Sequence, residues 1–88
     1  MWLECCYKHF GILVNHLEEI GQLENTLIIF HSDHGEMLGD HGLIYKGSRF
    51  FECLVHVPLI FSWPGKIKSD IVSSALVELV DLAPTMLE

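Results

Sequence analysis

Basic charge is scarce in this chain: five Lys and Arg stand against 12 Asp and Glu among 88 residues, for a formal charge of −7. The few cations form no cluster, which excludes a nucleic-acid footprint. Long apolar runs are missing too. No stretch approaches the ~20 residues needed to span a bilayer, and Met1-Trp2-Leu3-Glu4 has neither the basic start nor the apolar centre of a signal peptide. Membrane insertion is therefore not expected of this stretch, and the sequence assigns no compartment. Cysteine is sparse and unpatterned: Cys5, Cys6 and Cys53 are odd in number and lack any Cys-x-x-Cys spacing. They read as reduced core residues rather than a disulfide framework or a zinc site.

What remains is apolar. Half the residues are hydrophobic and 19% are charged, which excludes disorder and suits a piece of a larger protein's interior. A chain this short buries only about 60–65% of its unfolded surface, so its own core is marginal. From about residue 4 to 20, Tyr7, Phe10, Val14 and Leu17, flanked by Leu13 and Ile20, recur at helical spacing, and Gly21 supplies the stop. The run 26–30 (Thr-Leu-Ile-Ile-Phe) has the length and β-branched content of a buried strand.

A second apolar run, 55–61, contains Pro58, which cannot donate to a ladder and belongs near a strand start. Residues 76–80 read as a third short strand. Asp81 is placed to cap a final helix with Pro84 in its first turn. This order implies an α/β fold with a mostly parallel sheet and flanking helices, incomplete at both ends. The missing helices would come from the rest of the same domain, so residues 1–88 are read as one partial domain.

The chemistry concentrates in residues 32–47, Ser-Asp-His-Gly-Glu-Met-Leu-Gly-Asp-His-Gly-Leu-Ile-Tyr-Lys-Gly, at the carboxyl end of the first strand, where open α/β sheets bind ligands. Asp33 offers a hard oxygen and His34 an imidazole, with Gly35 relieving the backbone between them and the next turn. Two such donors suggest half of a divalent metal site. The oxygen and nitrogen set alone favours zinc or manganese over calcium. The plainer readings are a turn aspartate and a surface histidine.

His41, in Gly39-Asp40-His41-Gly42, is either a second substrate contact or a loop histidine bonded to backbone, and Asp40 is solvated or structural. Lys46 can bring a point charge to a tetrahedral oxyanion or stand free in solvent. Arg49 and Glu52 read as an ion pair or as support for the site. His31 and His56 flank strands as packing or hydrogen-bonding residues.

Residues 25–42, Asn-Thr-Leu-Ile-Ile-Phe-His-Ser-Asp-His-Gly-Glu through Gly-Asp-His-Gly, resemble the metal-loop signature of the sulfatase family, in the alkaline phosphatase superfamily. Lys46, Phe51-Glu52, Val57-Pro58-Leu59-Ile60, Trp63-Pro64-Gly65 and Val80-Asp81-Leu82-Ala83-Pro84-Thr85 follow in the family's order. The resemblance covers about residues 11–88. It implies a partial alkaline-phosphatase-like sandwich, Asp33 and His34 as ligands of a calcium ion, and Lys46, with His41 as a second candidate, on a sulfate ester substrate. It thereby points to calcium against the unaided donor argument.

The family's nucleophile is a formylglycine made from Cys or Ser in Cys/Ser-x-Pro-x-Arg. None of the three cysteines here has the following Pro and Arg, so formylglycine and the remaining metal ligands belong to an amino-terminal part absent from this chain. Residues 1–10 also depart from the family pattern, and His31 stands where Thr is commoner. The expected function is therefore that of a sulfatase fragment, inactive alone. The alternatives are a phosphomonoester or phosphonate hydrolase of the same superfamily, or a non-catalytic truncated remnant.

Overall fold

The computed structural model describes the backbone of residues 2–88 and the side chains of residues 4–88. Three helices and two strands alternate in the order α1 (Trp2–Glu19), β1 (Ile28–His31), α2 (Glu52–Val55), β2 (Leu59–Ser62) and α3 (Leu82–Leu87). Short 3₁₀ turns occupy Leu23–Asn25, Asp40–Gly42 and Leu79–Asp81. The residues group into two compact units.

One unit holds the described residues through Ile29 together with Ile60–Ser69. Its long helix α1 forms where the periodicity places it, and Gly21, at φ 68°, ends it in the left-handed conformation that L side chains avoid. Phe10, Val14 and Leu17 make the half-buried stripe, whereas Tyr7 remains 70% exposed and Leu13 and Ile20 also face solvent. The apolar stripe is thus narrower than the sequence pattern suggests. Cys5 and Cys6 are exposed on α1 rather than in a core, and all three cysteines are free thiols.

β1 and β2 pair in a two-stranded sheet. Trp63, just after β2, donates its indole N–H to the carbonyl of Glu24, just before β1, at 2.9 Å. The end of one strand therefore lies at the start of the other, and the pair runs antiparallel. This corrects the expected parallel arrangement: the turn at Trp63, closed by Lys66 N and Ile67 N on the Trp63 carbonyl at 3.0 Å each, belongs beside the approach to β1.

The other unit holds Phe30–Leu59 with Asp70–Glu88. Its buried apolar residues are Met37, Leu54 and Leu82, at 1%, 4% and 8% exposure. The third strand expected at 76–80 does not form; residues 70–78 have no regular structure. β-branched content favours extension, but a strand exists only with a partner ladder. Within that segment Val72 is 97% exposed, and Phe50, elsewhere in the unit, is 95% exposed.

Pro84 sits in the first turn of α3, as expected, but Asp81 does not cap that helix with its side chain. Its carboxylate instead accepts the Glu78 amide at 2.9 Å, in a reciprocal capping box that closes the preceding 3₁₀ turn. Among the described residues no helix is long and apolar enough to cross a membrane.

Candidate functional site

The site is built within the unit that carries residues 30–59, immediately after β1. Once the strand ends at His31, the chain closes a local turn: Ser32 Oγ donates to the His34 carbonyl at 2.7 Å, and the His34 amide donates to Asp33 Oδ1 at 2.9 Å. These bonds leave the Asp33 carboxylate 81% exposed and the His34 ring at 37%. Asp33 Oδ2 and His34 Nε2 lie 3.6 Å apart, so the two adjacent side chains converge on one region of space.

Gly35 fixes where that turn sits. Its amide donates to the Leu54 carbonyl at 2.8 Å. A Cβ built at Gly35 would stand 1.8 Å from the Cys53 carbonyl oxygen and 2.9 Å from its carbon. Backbone therefore packs directly on backbone, and a side chain at residue 35 is sterically excluded. Gly35 is needed less for flexibility than for this close approach to α2.

The hydrogen bonds also assign the His34 tautomer. Its Nδ1 lies 2.7 Å from the Gly35 carbonyl, which only accepts, and its Nε2 lies 2.5 Å from Lys46 Nζ, which only donates. These partners assign the tautomer with the proton on Nδ1 and the lone pair on Nε2. A backbone carbonyl orienting one ring nitrogen so that the other is free to coordinate is the usual support of a metal-binding histidine. The donor set fits a divalent ion to that extent, with two ligands. Among the described residues no group of three or more His, Cys, Asp or Glu side chains converges as a metal cluster.

Lys46, though exposed, is thus brought to His34. His41 is not brought there by any contact the structure gives it: its ring stacks on Phe51, with centroids 4.4 Å apart and planes 21° from parallel. Glu52 pairs with His56, Oε1 to Nδ1 at 2.7 Å, and not with Arg49 as expected. An i,i+4 step on a helical turn brings them together, where Arg49 precedes α2 and has no such register.

The intervening loop is built on positive φ. Leu38, Gly39, His41 and Gly42 have φ of 47°, 101°, 53° and 71°. Bonds from Asp40 N to Met37 O at 2.8 Å and from Gly39 N to Leu43 O at 2.8 Å close it. Asp40, read from sequence as solvated or structural, stands beside the Cys53 thiol. Partial burial, followed by the charge of Asp40, pushes that thiol up from its ordinary range, and Cys53 Sγ also contacts Met37 Sδ at 3.4 Å. The sequence carried no signal for this cluster, nor for the Phe51 stack, because both depend on α2 returning to the loop.

Residues 8–88 match the Sulfatase family over nearly the whole chain. The chain belongs to the sulfatase family. It is 44% identical over 81 residues to an N-acetylglucosamine-6-O-sulfatase of Bacteroides thetaiotaomicron, covering 92% of this chain and 14% of that protein. It is 41% identical over 78 residues to arylsulfatase K of Bos taurus, covering 89% and 14%. An extracellular sulfatase SULF-1 homolog of Drosophila melanogaster is 48% identical over 75 residues, covering 84% and 7%.

The chain thus spans 14% or less of the length of these sulfatases. No solved structure matches it. Sulfatases as a family act on sulfate esters and depend on a metal. The match begins at Lys8, slightly ahead of the start near residue 11 read from the motifs.

Proposed function

We propose that this chain is the carboxyl-side portion of a sulfatase catalytic domain that hydrolyses sulfuric esters, to which it contributes two metal ligands and one substrate-binding cation. The carrying observation is the convergence of Asp33, His34 and Lys46, with His34 Nε2 2.5 Å from the lysine and 3.6 Å from the carboxylate. Asp33 and His34 would hold a calcium ion, completed by ligands from outside the chain. That ion supplies positive charge to an ester oxygen.

The chain's own residues have distinct tasks. Asp33 offers a carboxylate held in place by the His34 amide, and His34 offers the Nε2 lone pair fixed by the Gly35 carbonyl. Lys46 offers an ammonium to a sulfate oxygen, without needing a proton removed. Lys46 and a bound cation would share the His34 Nε2 lone pair, so with the ion held by Asp33 and His34 the Lys46 ammonium would be free for the ester. His41, stacked on Phe51, is kept as a second substrate contact reached from the same loop.

Cys5, Cys6 and Cys53 lack the context for conversion to formylglycine, so the nucleophile is assigned to a part of the protein outside this sequence. Exposed apolar side chains such as Phe50 and Val72 support the same reading. They match surfaces covered by the remainder of the domain.

A calcium titration of the 88-residue chain, followed by amide NMR, tests the assignment. The expected result is weak binding, at about 10⁻⁴–10⁻³ M by comparison with the loosest natural calcium sites. Shifts should centre on Asp33 and His34, vanish in Asp33→Asn, and appear at lower calcium in Lys46→Ala. Shifts unaltered by Asp33→Asn would overturn the ligand assignment. Hydrolysis of an aryl sulfate by the purified chain, above a Lys46→Ala control, would overturn the claim that it is inactive alone.

A further inference from the structure

A second pair of metal donors stands on α1, apart from the residues just described. Cys5 Sγ and His9 Nδ1 lie 3.5 Å apart across one helical turn, and both residues are exposed. The spacing is i,i+4, which places the two side chains on one face. Cys5 lies ahead of the stretch that matches the sulfatase family and His9 just inside its start, so the family match does not cover the thiol.

The separation is that of a thiol–imidazole hydrogen bond, and it also matches the span of a chelated ion. Zinc–sulfur and zinc–nitrogen bonds of about 2.3 and 2.0–2.1 Å at a tetrahedral angle span a sulfur-to-nitrogen chord of about 3.5 Å. The donors already stand at that span, so chelation requires no change in the helix backbone, only a rotation of the imidazole that turns Nδ1 from the Cys5 carbonyl to the ion. The remaining positions are open to water, since both side chains face solvent.

We propose that Cys5 and His9 form a surface chelate for a soft or borderline divalent cation of the zinc type, distinct from the oxygen-rich pair Asp33–His34. Thiolate and imidazole select such ions over calcium and magnesium. At present His9 Nδ1 also lies 2.7 Å from the Cys5 carbonyl, an acceptor, so Nδ1 carries the ring proton. Binding moves that proton to Nε2 and releases the thiol proton to solvent. One proton leaves per ion, the sulfur and Nδ1 each donate a lone pair, and no electron is transferred. Cys6, one residue on, lies around the helix from Cys5 and is not a ligand.

Cobalt(II) is the probe, titrated into the full chain carrying Cys53→Ser. A thiolate-to-cobalt charge-transfer band reports sulfur coordination and is blind to Asp33 and His34. The expected result is a band displaced by zinc, retained in Cys6→Ser and lost in Cys5→Ser. His9→Ala should weaken binding at least about tenfold, since even the loss of a residue supporting a zinc ligand costs about 10–100-fold. Moving the imidazole to the wrong face, by Tyr7→His with His9→Tyr, should not restore it. A band that needs Cys6, or one unaffected by His9→Ala or by the exchange of positions 7 and 9, would overturn the proposal. So would the absence of any band at millimolar cobalt.

Discussion

Gly35→Ala is the sharpest perturbation available, because the added methyl has nowhere to go. Its Cβ would stand 1.8 Å from the Cys53 carbonyl oxygen, whereas a carbon and an oxygen in contact need well over 3 Å. Relief requires the turn carrying Asp33 and His34 to back away from α2 by more than an ångström, which breaks the 2.8 Å bond from Gly35 N to Leu54 O. Overpacking of this kind costs about 1–3 kcal/mol, and the lost hydrogen bond about 1 kcal/mol more. The sum, about 2–4 kcal/mol, is a large part of what a chain this small can have.

Urea unfolding followed by circular dichroism should show it. At a slope of about 1 kcal/mol per molar urea, the midpoint falls by about 2 M or more. Hydrogen exchange provides a local reading: the Gly35 amide should lose protection in the variant. Gly11→Ala is the control, since nothing lies within 4 Å of a Cβ there and the residue is inside α1. That change should stabilise, by about 0.5–1 kcal/mol. If Gly35→Ala leaves both midpoint and Gly35 exchange at the parent's values, the close approach to α2 is not what fixes the site.

Two further outcomes follow from the same unit. Met37→Ala should cost about 2–5 kcal/mol, as for other fully buried long apolar side chains; a loss under 1 kcal/mol in thermal unfolding would mean the three-residue core is not what holds this unit. Cys53 should be alkylated by iodoacetamide more slowly than Cys5 or Cys6, because its raised pKa and partial burial keep the thiol protonated. The stability tied to that proton is present below the ordinary thiol range and declines as pH rises through the raised folded value. Asp40→Asn should lower the Cys53 pKa and speed its alkylation, and an unchanged rate would remove Asp40 from that account.

Local elements with a strong internal rhythm were legible in the residues. The apolar repeat through Phe10, Val14 and Leu17 gave α1, and the run 26–30 gave β1, which starts two residues later and ends one later. Asp33, His34 and Lys46 could be named as candidates because few residue types bring such chemistry to one loop. What depended on chain return was not legible. The direction of the β1–β2 pair rests on where the Trp63 turn lands, and the backbone contact beneath Gly35 leaves no side-chain trace in the sequence. Residues 76–80 look like a strand by composition alone, yet a strand is a property of two segments and this one has no partner among the described residues. Cys5 and Cys6 look like core residues by type, but only the packing of α1 decides which of its faces meets anything.

In the loop between His34 and Lys46 the short stretch 38–42 lies mostly on the mirror-image side of backbone space, with Leu38, Gly39, His41 and Gly42 all at positive φ. Read as a question of handedness, it is a short passage better suited to D-residues than to L-residues. A chemically made chain with D-alanine at positions 39 and 42, whose φ of 101° and 71° D-residues favour, would stiffen the passage without asking its backbone to change shape. The length of backbone that carries the lysine to the histidine would then be set by chirality, and the ammonium would reach the ring from a chain with fewer ways to miss it.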